Sequence, residues 1–174
     1  MAGFTNRPAA KRIIATCLLA AVAPLAQGNL GQIDQPEIRI LAVHNRERAA
    51  IGVGPLQWDE GLARDAAAWG KHLVRLGYLV HSDVPQGENL WAGTRGYYSI
   101  EAMVGLWAQE KKAFKPGVFP SNSRTGDLAD VGHYTQLVWR DTRNVGCAVT
   151  RGGADDFLVC RYSSPGNVIG ERPF

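Results

Sequence analysis

Residues 132–142 read GHYTQLVWRDT, the most informative run in a chain of 174 residues. Within it, the segment 134–139 combines β-branched and aromatic residues, which favours a strand. Two later runs, 145–150 and 157–162, have the same character and flank a turn that contains two adjacent glycines. The last part of the chain is therefore predicted to form three short antiparallel strands.

The residues before this run show helical spacing of apolar side chains. Helices are predicted over residues 36–51, 59–77 and 99–114, each with an Asp or Ser suited to the N-cap. An irregular stretch is expected over residues 81–98, and residues 115–132 are predicted to form a long loop. Helices followed by a small sheet indicate an α+β fold in which helices cover the sheet.

The N-terminus has the composition of an export signal. Three basic residues precede an uncharged apolar run over residues 13–26, which is short for a bilayer span. We therefore expect a secretory signal peptide over residues 1–28 and one domain over residues 29–174; a retained membrane anchor is the alternative. The protein would then be secreted, or periplasmic in a Gram-negative bacterium, with no stable membrane span after cleavage.

The excess of basic charge lies in this N-terminal segment. The chain has 19 basic and 16 acidic residues, and residues 1–28 carry three of the basic ones and none of the acidic ones. The remaining domain is formally neutral, which argues against an electrostatic nucleic-acid binder. Its apolar content suits one compact domain, which we take to be a monomer.

Cysteine usage agrees with export. Outside the predicted signal, the chain contains only Cys147 and Cys160. If Gly153 and Ala154 form a two-residue hairpin loop, these cysteines face each other at a non-hydrogen-bonded pair, about 4.5 Å apart at Cα. That separation is within the range of a disulfide. A disulfide is therefore predicted, and two buried free thiols are the alternative.

One carboxylate interrupts the apolar stripe of the third predicted helix. Glu110 stands where the stripe of Met103, Val104 and Trp107 should continue. A carboxylate on a face that packs against the core is costly unless it is paired or solvated. Either the helix rotates to expose Glu110, or Glu110 lines a polar pocket, and the pattern leaves both alternatives open.

Three further polar residues lie in irregular or junctional segments: His81, Glu88 and His133. Together with Glu110 they provide two imidazoles and two carboxylates, which suit Zn²⁺ while leaving room for water. No two of them share a zinc-ligand spacing such as His-x-x-x-His, and each one alone is more often a surface or hydrogen-bonded core residue. The residues by themselves therefore give only a weak indication of a metal site.

The run at 132–142 resembles the signature of the CAP superfamily, which includes cysteine-rich secretory proteins, insect venom antigens and plant pathogenesis-related proteins. Residues 87–90 (GENL) and 157–167 (FLVCRYSSPGN) resemble two further motifs of that family in the same order. Ser164 departs from the last motif, where Pro or a basic residue is usual. The likeness covers residues 35–174, and it indicates a minimal single-domain member similar to the plant branch and to bacterial secreted homologues.

A fourth segment resembles the motif of the family's first helix. His44-Asn45, with Arg48 one turn later, matches it in order and position. The resemblance implies a structural role for these three residues, through packing and hydrogen bonding.

The resemblance also implies a fold and a site. The expected fold is a three-layer α-β-α sandwich with a small, mainly antiparallel central sheet. The expected cavity carries a tetrad, which by motif position is His81, Glu88, Glu110 and His133. The family further implies that His81 and His133 hold a divalent cation, often zinc, with the glutamates beside it.

Fold and family do not settle function. The leading hypothesis is a secreted binding module for a small apolar ligand, such as a sterol or another lipid, or for an extracellular partner protein. The cavity for an apolar ligand would be lined by residues in or near the 115–132 loop: Phe114, Val118, Phe119, Tyr97 and Tyr98. The alternative is that these side chains simply complete the core.

Two other functions compete with binding. In a zinc-dependent hydrolase or peptidase, a metal on His81 and His133 would activate water, with Glu88 or Glu110 as the general base. No positioned nucleophile can be identified, so the sequence favours binding over catalysis. In a structural or signalling protein, the pocket would be vestigial and the tetrad a buried polar network.

Overall fold

The computed structural model describes residues 35–174, and the predicted signal peptide lies outside them. Its three longest helices are α1 (Pro36–Ala50), α2 (Glu60–Leu76) and α3 (Ile100–Gln109). α3 ends earlier than predicted, because the chain tightens into a 3₁₀ turn over Glu110–Lys112. Among the described residues, none of the helices has both the length and the apolar character that a bilayer crossing requires.

Four strands form one central sheet: β1 (Gln57–Trp58), β2 (Gly87–Thr94), β3 (Asn144–Gly152) and β4 (Asp155–Ser163). Their order across the sheet is β1-β3-β4-β2. The β1–β3 pair is parallel, and the pairs β3–β4 and β2–β4 are antiparallel. The α+β class and the small, mainly antiparallel sheet are thereby confirmed.

Alternate side chains of β4 enter two different cores, as the pleat of a strand requires. Leu158, Cys160 and Tyr162 join the larger core, which also contains buried residues of α1 and α3. Phe157 and Val159 join a smaller core with buried residues of α2. Helices therefore cover both faces of the sheet, which confirms the three-layer α-β-α arrangement.

The ends and the position of α2 follow directly from the sequence. The Asp59 carboxylate accepts the amide N–H of Leu62 at 2.9 Å, which is an N-cap contact. Gly77 ends the helix with a left-handed φ of 77°. A Cβ at Gly146 would overlap the backbone of Asp59 and Ala63, so only glycine lets β3 approach α2 this closely.

The hairpin between β3 and β4 has the predicted register. Gly152 pairs with Asp155, which leaves a two-residue loop, and Cys147 lies opposite Cys160. The two cysteines form the predicted disulfide, with their Cα atoms 4.1 Å apart. A bridge over a loop of this length is worth about 3 kcal/mol in the chain-entropy model.

The predicted strand at Tyr134–Trp139 is wrong, because Gly132–Leu137 forms a short helix, α4. Residues 134–137 are all buried, and the Thr135 hydroxyl donates to the carbonyl of Val131 at 3.1 Å. A helix of six residues is marginal on its own. Tertiary packing therefore overrides the strand preference of this run. The pattern of a short apolar segment cannot by itself distinguish a strand from a buried helix.

The stretch predicted to be irregular contains β2, which pairs with β4 along its whole length. Glycines occupy two of its eight positions, Gly87 and Gly93, and Thr94 is its only β-branched residue. Its composition therefore gives little strand signal. The ladder with β4 supplies the missing stabilisation, and it fixes the position of Glu88 at the edge of the sheet.

The loop after α3 is held by its own polar contacts and by the C-terminus. The Asn122 side-chain amide donates to the carbonyls of Lys115 and Gly117, at 3.3 and 3.0 Å. The amide of Phe119 donates to the carbonyl of Glu171 at 2.7 Å. These bonds hold the loop in place beside the start of α4.

Candidate functional site

The first histidine–glutamate pair lies between the loop after α2 and the start of β2. His81 Nδ1 is 2.8 Å from Glu88 Oε1. The amide and the hydroxyl of Ser82 also donate to Glu88, at 3.0 and 2.8 Å. The side chain of Glu88 is 5% exposed and that of His81 is 65% exposed, so a buried carboxylate orients an imidazole that reaches solvent.

A buried guanidinium balances the charge of Glu88. Arg161 lies 3.2 Å from Glu88 Oε2, and its side chain is only 4% exposed. Burial raises the pKa of Glu88, but the hydrogen bonds from His81 and Ser82 and the charge of Arg161 outweigh it and bring the pKa below its ordinary value. Arg161 therefore helps to keep this carboxylate ionised inside the protein.

The second pair joins the end of α3 to the start of α4. Glu110 Oε1 lies 2.6 Å from His133 Nδ1, and Glu110 Oε2 accepts the amides of His133 and Tyr134 at 3.0 Å each. Amides in the first turn of a helix have no partner within that helix. Glu110 thus caps α4 from another element, and it is paired inside the protein and not turned out to solvent.

The two pairs present their imidazoles in the same way. In each, the carboxylate engages Nδ1, so Nδ1–H donates to it and the lone pair remains on Nε2. Within residues 35–174, neither Nε2 has a hydrogen-bond partner. This carboxylate–histidine arrangement is the one that orients histidine ligands in metal sites.

Three of the four tetrad residues line one cavity of about 390 Å³. These are His81, Glu88 and His133, and the rest of the wall consists of Asn89, Phe119, Leu128, Ala129, Gly132 and Asn167. Glu110 supports His133 from behind and is not part of the wall. The Trp107 ring stacks on the His133 ring at 5.8 Å with an interplanar angle of 13°, which holds the imidazole plane.

Of the five apolar residues predicted to line a ligand, only Phe119 lies in the wall of this cavity. Phe114 is part of the larger core, and Tyr98 borders a separate cavity. Tyr97 and Val118 are exposed. The wall therefore combines a polar side, made by the imidazoles and amides, with an apolar side.

The donor set fits a metal only in part. Residues 35–174 contain no group of three or more His, Cys, Asp or Glu side chains placed to hold a metal ion. His81 and His133 offer one free imidazole nitrogen each, which zinc accepts readily. The remaining coordination positions would have to come from water or from a bound ligand.

His44 lies in the core and not in the cavity. It is fully buried, with Nδ1 at 2.9 Å from the carbonyl of Ile40 and Nε2 at 2.8 Å from the hydroxyl of Tyr162. Nδ1–H therefore donates to the carbonyl, and Nε2 accepts from the tyrosine. Burial lowers the pKa of His44 from 6.5 to about 4, so the ring is neutral at physiological pH.

Asn45 and Arg48 connect α1 to its surroundings. Asn45 makes two hydrogen bonds with the backbone of Leu56, at 2.7 and 3.0 Å. Arg48 is fully buried, and its guanidinium donates to four carbonyls at 2.7–3.1 Å, those of Gly54, Leu137, Trp139 and Thr142. Burial lowers its pKa to about 10. This side chain holds the end of α4 and the residues after it against α1.

Sequence reasoning missed two residues that shape the cavity. Asn89 donates to the carbonyl of His133 at 3.0 Å and to the hydroxyl of Tyr162 at 3.2 Å, so it connects the cavity wall to the core. Arg161 forms the ion pair with Glu88. Both lie within motifs already singled out, but neither shows its role without the pairing of β2 and β4.

Comparison with known proteins gives a family for this chain. The model of the cysteine-rich secretory protein family, CAP, matches residues 41–162. Pathogenesis-related protein 1 of Arabidopsis thaliana is 42% identical over 132 residues, which are 75% of this chain and 78% of that protein. Pathogenesis-related protein 1B of Nicotiana tabacum is 39% identical over 136 residues, which are 77% and 78% of the two chains.

Solved structures share the fold at lower identity. The crystal structure of NaASP2 with Zn²⁺ has a TM-score of 0.68 at 18% identity, and the match covers 84% of this chain and 88% of that one. Fold, motifs and sequence similarity lead to one conclusion: this chain belongs to the cysteine-rich secretory protein family, CAP.

Proposed function

We propose that this chain is an exported binding protein whose cavity takes a small amphipathic ligand, a lipid or sterol, and that His81 and His133 would hold a divalent cation there. The observation that carries the proposal is the matched pair of imidazoles, each held through Nδ1 by its own carboxylate while Nε2 is left without a partner in residues 35–174. Such preorganisation is what a ligand atom for a metal needs.

The composition of the cavity wall supports an amphipathic ligand. Its polar side consists of the imidazoles with Asn89 and Asn167, and its apolar side includes Phe119 and Leu128. A ligand with a polar end and an apolar body would satisfy both sides at once. A volume of about 390 Å³ is enough for a small molecule or for the polar end of a longer one.

The chain's own residues hold the imidazoles in place. Glu88 and Glu110 fix the Nδ1 side of each ring, and Trp107 fixes the plane of His133. His81 and His133 would hold the divalent cation, which would supply a Lewis acid to an oxygen of the ligand. The polar end of the ligand would then lie at the imidazoles, and the apolar body would contact wall residues such as Phe119 and Leu128.

Export is part of the same proposal. The predicted signal peptide over residues 1–28 and the Cys147–Cys160 disulfide both suit an oxidising compartment. The name of the family, cysteine-rich secretory protein, agrees with it. We therefore propose that the protein functions outside the cytoplasm.

Binding has more support than hydrolysis. A general base needs a free lone pair within reach of the attacking water. Glu88 already accepts four polar contacts, and Glu110 accepts three. Ser82 donates its hydroxyl to Glu88 at 2.8 Å, an arrangement that does not activate it as a nucleophile.

Zinc titration by calorimetry tests the proposal. We expect one cation per chain in the native protein and none in the still-folded double variant His81→Ala/His133→Ala. The matched control is His72→Ala, because His72 is a partly buried histidine outside this cavity, stacked on Trp69 at 4.6 Å. Native protein that binds no zinc, or a double variant that binds it equally well, would show that the cation is not held by this pair.

The ligand half of the proposal has its own measurement. A fluorescent fatty acid or sterol should bind the native protein. The variant Ala129→Trp should lower the affinity at least about tenfold, because the larger side chain occupies the space of the ligand. Unchanged binding in that variant would exclude this cavity as the site of the apolar ligand.

A further inference from the structure

The segment between α2 and β2 exposes a cluster of apolar side chains. Residues 76–84, called here the 76–84 segment, contain Leu76, Tyr78, Leu79, Val80 and Val84, which are 36–60% exposed. These are five of the thirteen large apolar residues that are exposed among residues 35–174. Scattered apolar side chains need no explanation, but a contiguous group marks a surface that contacts something else.

The protein holds this cluster outward on a fixed backbone. The indole N–H of Trp69 donates to the carbonyl of Val80 at 3.1 Å. Ser82 is fixed by its two hydrogen bonds to Glu88. Val84 borders a groove of about 460 Å³ beside Trp69. Because the backbone is tied at these points, the apolar side chains cannot simply collapse onto the core.

Two basic residues precede the cluster on α2. Residues 66–82 include Lys71 and Arg75 and no carboxylate. Both cations are exposed, and they lie one turn apart on α2, at the end that leads into the 76–84 segment. Along the chain, the nearest carboxylates are Asp83, which is exposed and lies within the 76–84 segment, and Asp65, which accepts the side-chain amide of Gln86 at 3.0 Å.

We propose that the 76–84 segment docks on the surface of an anionic lipid bilayer. Its apolar side chains would enter the boundary between headgroups and acyl chains, while Lys71 and Arg75 contact anionic headgroups. Tyr78, 60% exposed, has the amphipathic ring that suits this depth.

The composition of the cluster favours a lipid surface over a protein partner. Protein interfaces derive most of their binding energy from Trp, Tyr and Arg, and Leu and Val are under-represented among those residues. Lysine is also depleted at such interfaces. The cluster has four aliphatic residues and one tyrosine, and the cations that precede it are Lys71 and Arg75. Shallow insertion into a bilayer needs apolar side chains with cations nearby, and it needs no complementary pocket on a partner.

Docking would bring the mouth of the cavity to the membrane. His81 belongs to the 76–84 segment and also lines the cavity. Leu128 is another wall residue, and it is 36% exposed. An apolar ligand could then pass between bilayer and cavity without crossing bulk water. This consequence rests on the proposed function, whereas the docking itself does not.

Co-sedimentation with vesicles tests the docking. The exported protein should sediment with vesicles of phosphatidylcholine and phosphatidylglycerol, and less with phosphatidylcholine alone. The variant Leu79→Ser/Val80→Ser should lower the partition coefficient at least about tenfold, because it removes two inserted apolar side chains. The variant Lys71→Gln/Arg75→Gln should lower the partition coefficient on the anionic vesicles about fivefold per residue. Added salt should also lower the partition coefficient of the native protein, because it screens these charges.

The matched control removes two exposed apolar residues elsewhere. Val168→Ser/Ile169→Ser changes side chains that are 36% and 79% exposed in the C-terminal segment, and it should sediment like the native protein. Failure of the native protein to sediment with either vesicle, or equal losses in the segment and control variants, would overturn the docking. The variant His133→Ala removes a proposed metal ligand outside the 76–84 segment. Its binding to vesicles shows whether docking persists when the cavity site is lost.

Discussion

The two histidine–glutamate pairs make the same contact but are supported differently. Glu88 is 5% exposed and lies against the guanidinium of Arg161, while the imidazole that it orients, His81, is 65% exposed. Glu110 is 17% exposed and accepts two backbone amides of α4, and its imidazole, His133, is 32% exposed. One carboxylate is deep and balanced by a cation, whereas the other is shallower and caps a helix.

This difference follows from the cost of burying charge. A carboxylate almost removed from water needs a counter-charge, because hydrogen bonds alone leave its desolvation poorly compensated. A carboxylate that keeps some contact with water can be satisfied by the free amides of a helix start, whose dipole also favours it. Removing each carboxylate should therefore affect stability to a different degree.

The largest effect is expected from Glu88→Ala. The variant leaves the buried guanidinium of Arg161 without its carboxylate, so the free energy of unfolding should fall by about 3–5 kcal/mol. Urea unfolding measures the loss. In the double variant Glu88→Ala/Arg161→Leu neither charge of this pair remains, and part of the loss should be recovered. A loss below about 1 kcal/mol would show that water reaches Arg161 readily.

His44 sharpens the comparison, because it is a histidine buried without a carboxylate. Its pKa falls from 6.5 to about 4, so the unfolded chain binds a proton that the native protein does not. The free energy of unfolding should therefore decrease as the pH falls from 6.5 to about 4, by about 3 kcal/mol in total, and this contribution is fully present only above pH 6.5.

Urea unfolding across that range gives the measurement. The variant His44→Gln should have a flatter stability profile than the native protein between pH 6.5 and 4, even if it is less stable at neutral pH. Glu101, whose pKa is lowered to about 2 by its hydrogen bonds with Arg39, stays in both proteins and cancels in the difference. Equal slopes in the two proteins would mean that His44 titrates normally.

The smallest effect is expected from Glu110→Ala. The variant removes the acceptor of two α4 amides, but the partly exposed site admits water, so the loss should be about 1–3 kcal/mol. The matched control Glu110→Gln keeps an acceptor oxygen and should recover much of it. If Glu110→Ala lowered the free energy of unfolding as much as Glu88→Ala, the different exposure of the two carboxylates would not determine how much each one stabilises the protein.

Much of the fold could be predicted from local patterns. The start of α2 follows from Asp59 and its end from Gly77, because capping depends on neighbouring residues only. The register of Cys147 and Cys160 follows from a two-residue loop, since counting outward from it fixes every pair. For the helices and for this hairpin, the sequence carries both the pattern and its termination.

The errors share one cause. α4 was predicted as a strand and β2 as irregular, because their compositions point away from what they form. α4 depends on burial between other elements and on Glu110 at its start, and β2 depends on its ladder with β4. Both sources of stability lie far away along the chain, so no local window contains them.

By itself, the sequence determined the α+β class, the helix limits near α2 and the disulfide hairpin, and its motifs predicted a tetrad of His81, Glu88, Glu110 and His133. Only the tertiary structure decided which glutamate orients which histidine, that Arg161 balances Glu88, and that Glu110 stands behind the cavity wall. The physical reason is that hydrogen bonds and ion pairs form between atoms close in space. Positions 88 and 161 become neighbours only when β2 pairs with β4, and positions 110 and 133 only when the end of α3 packs beside the start of α4.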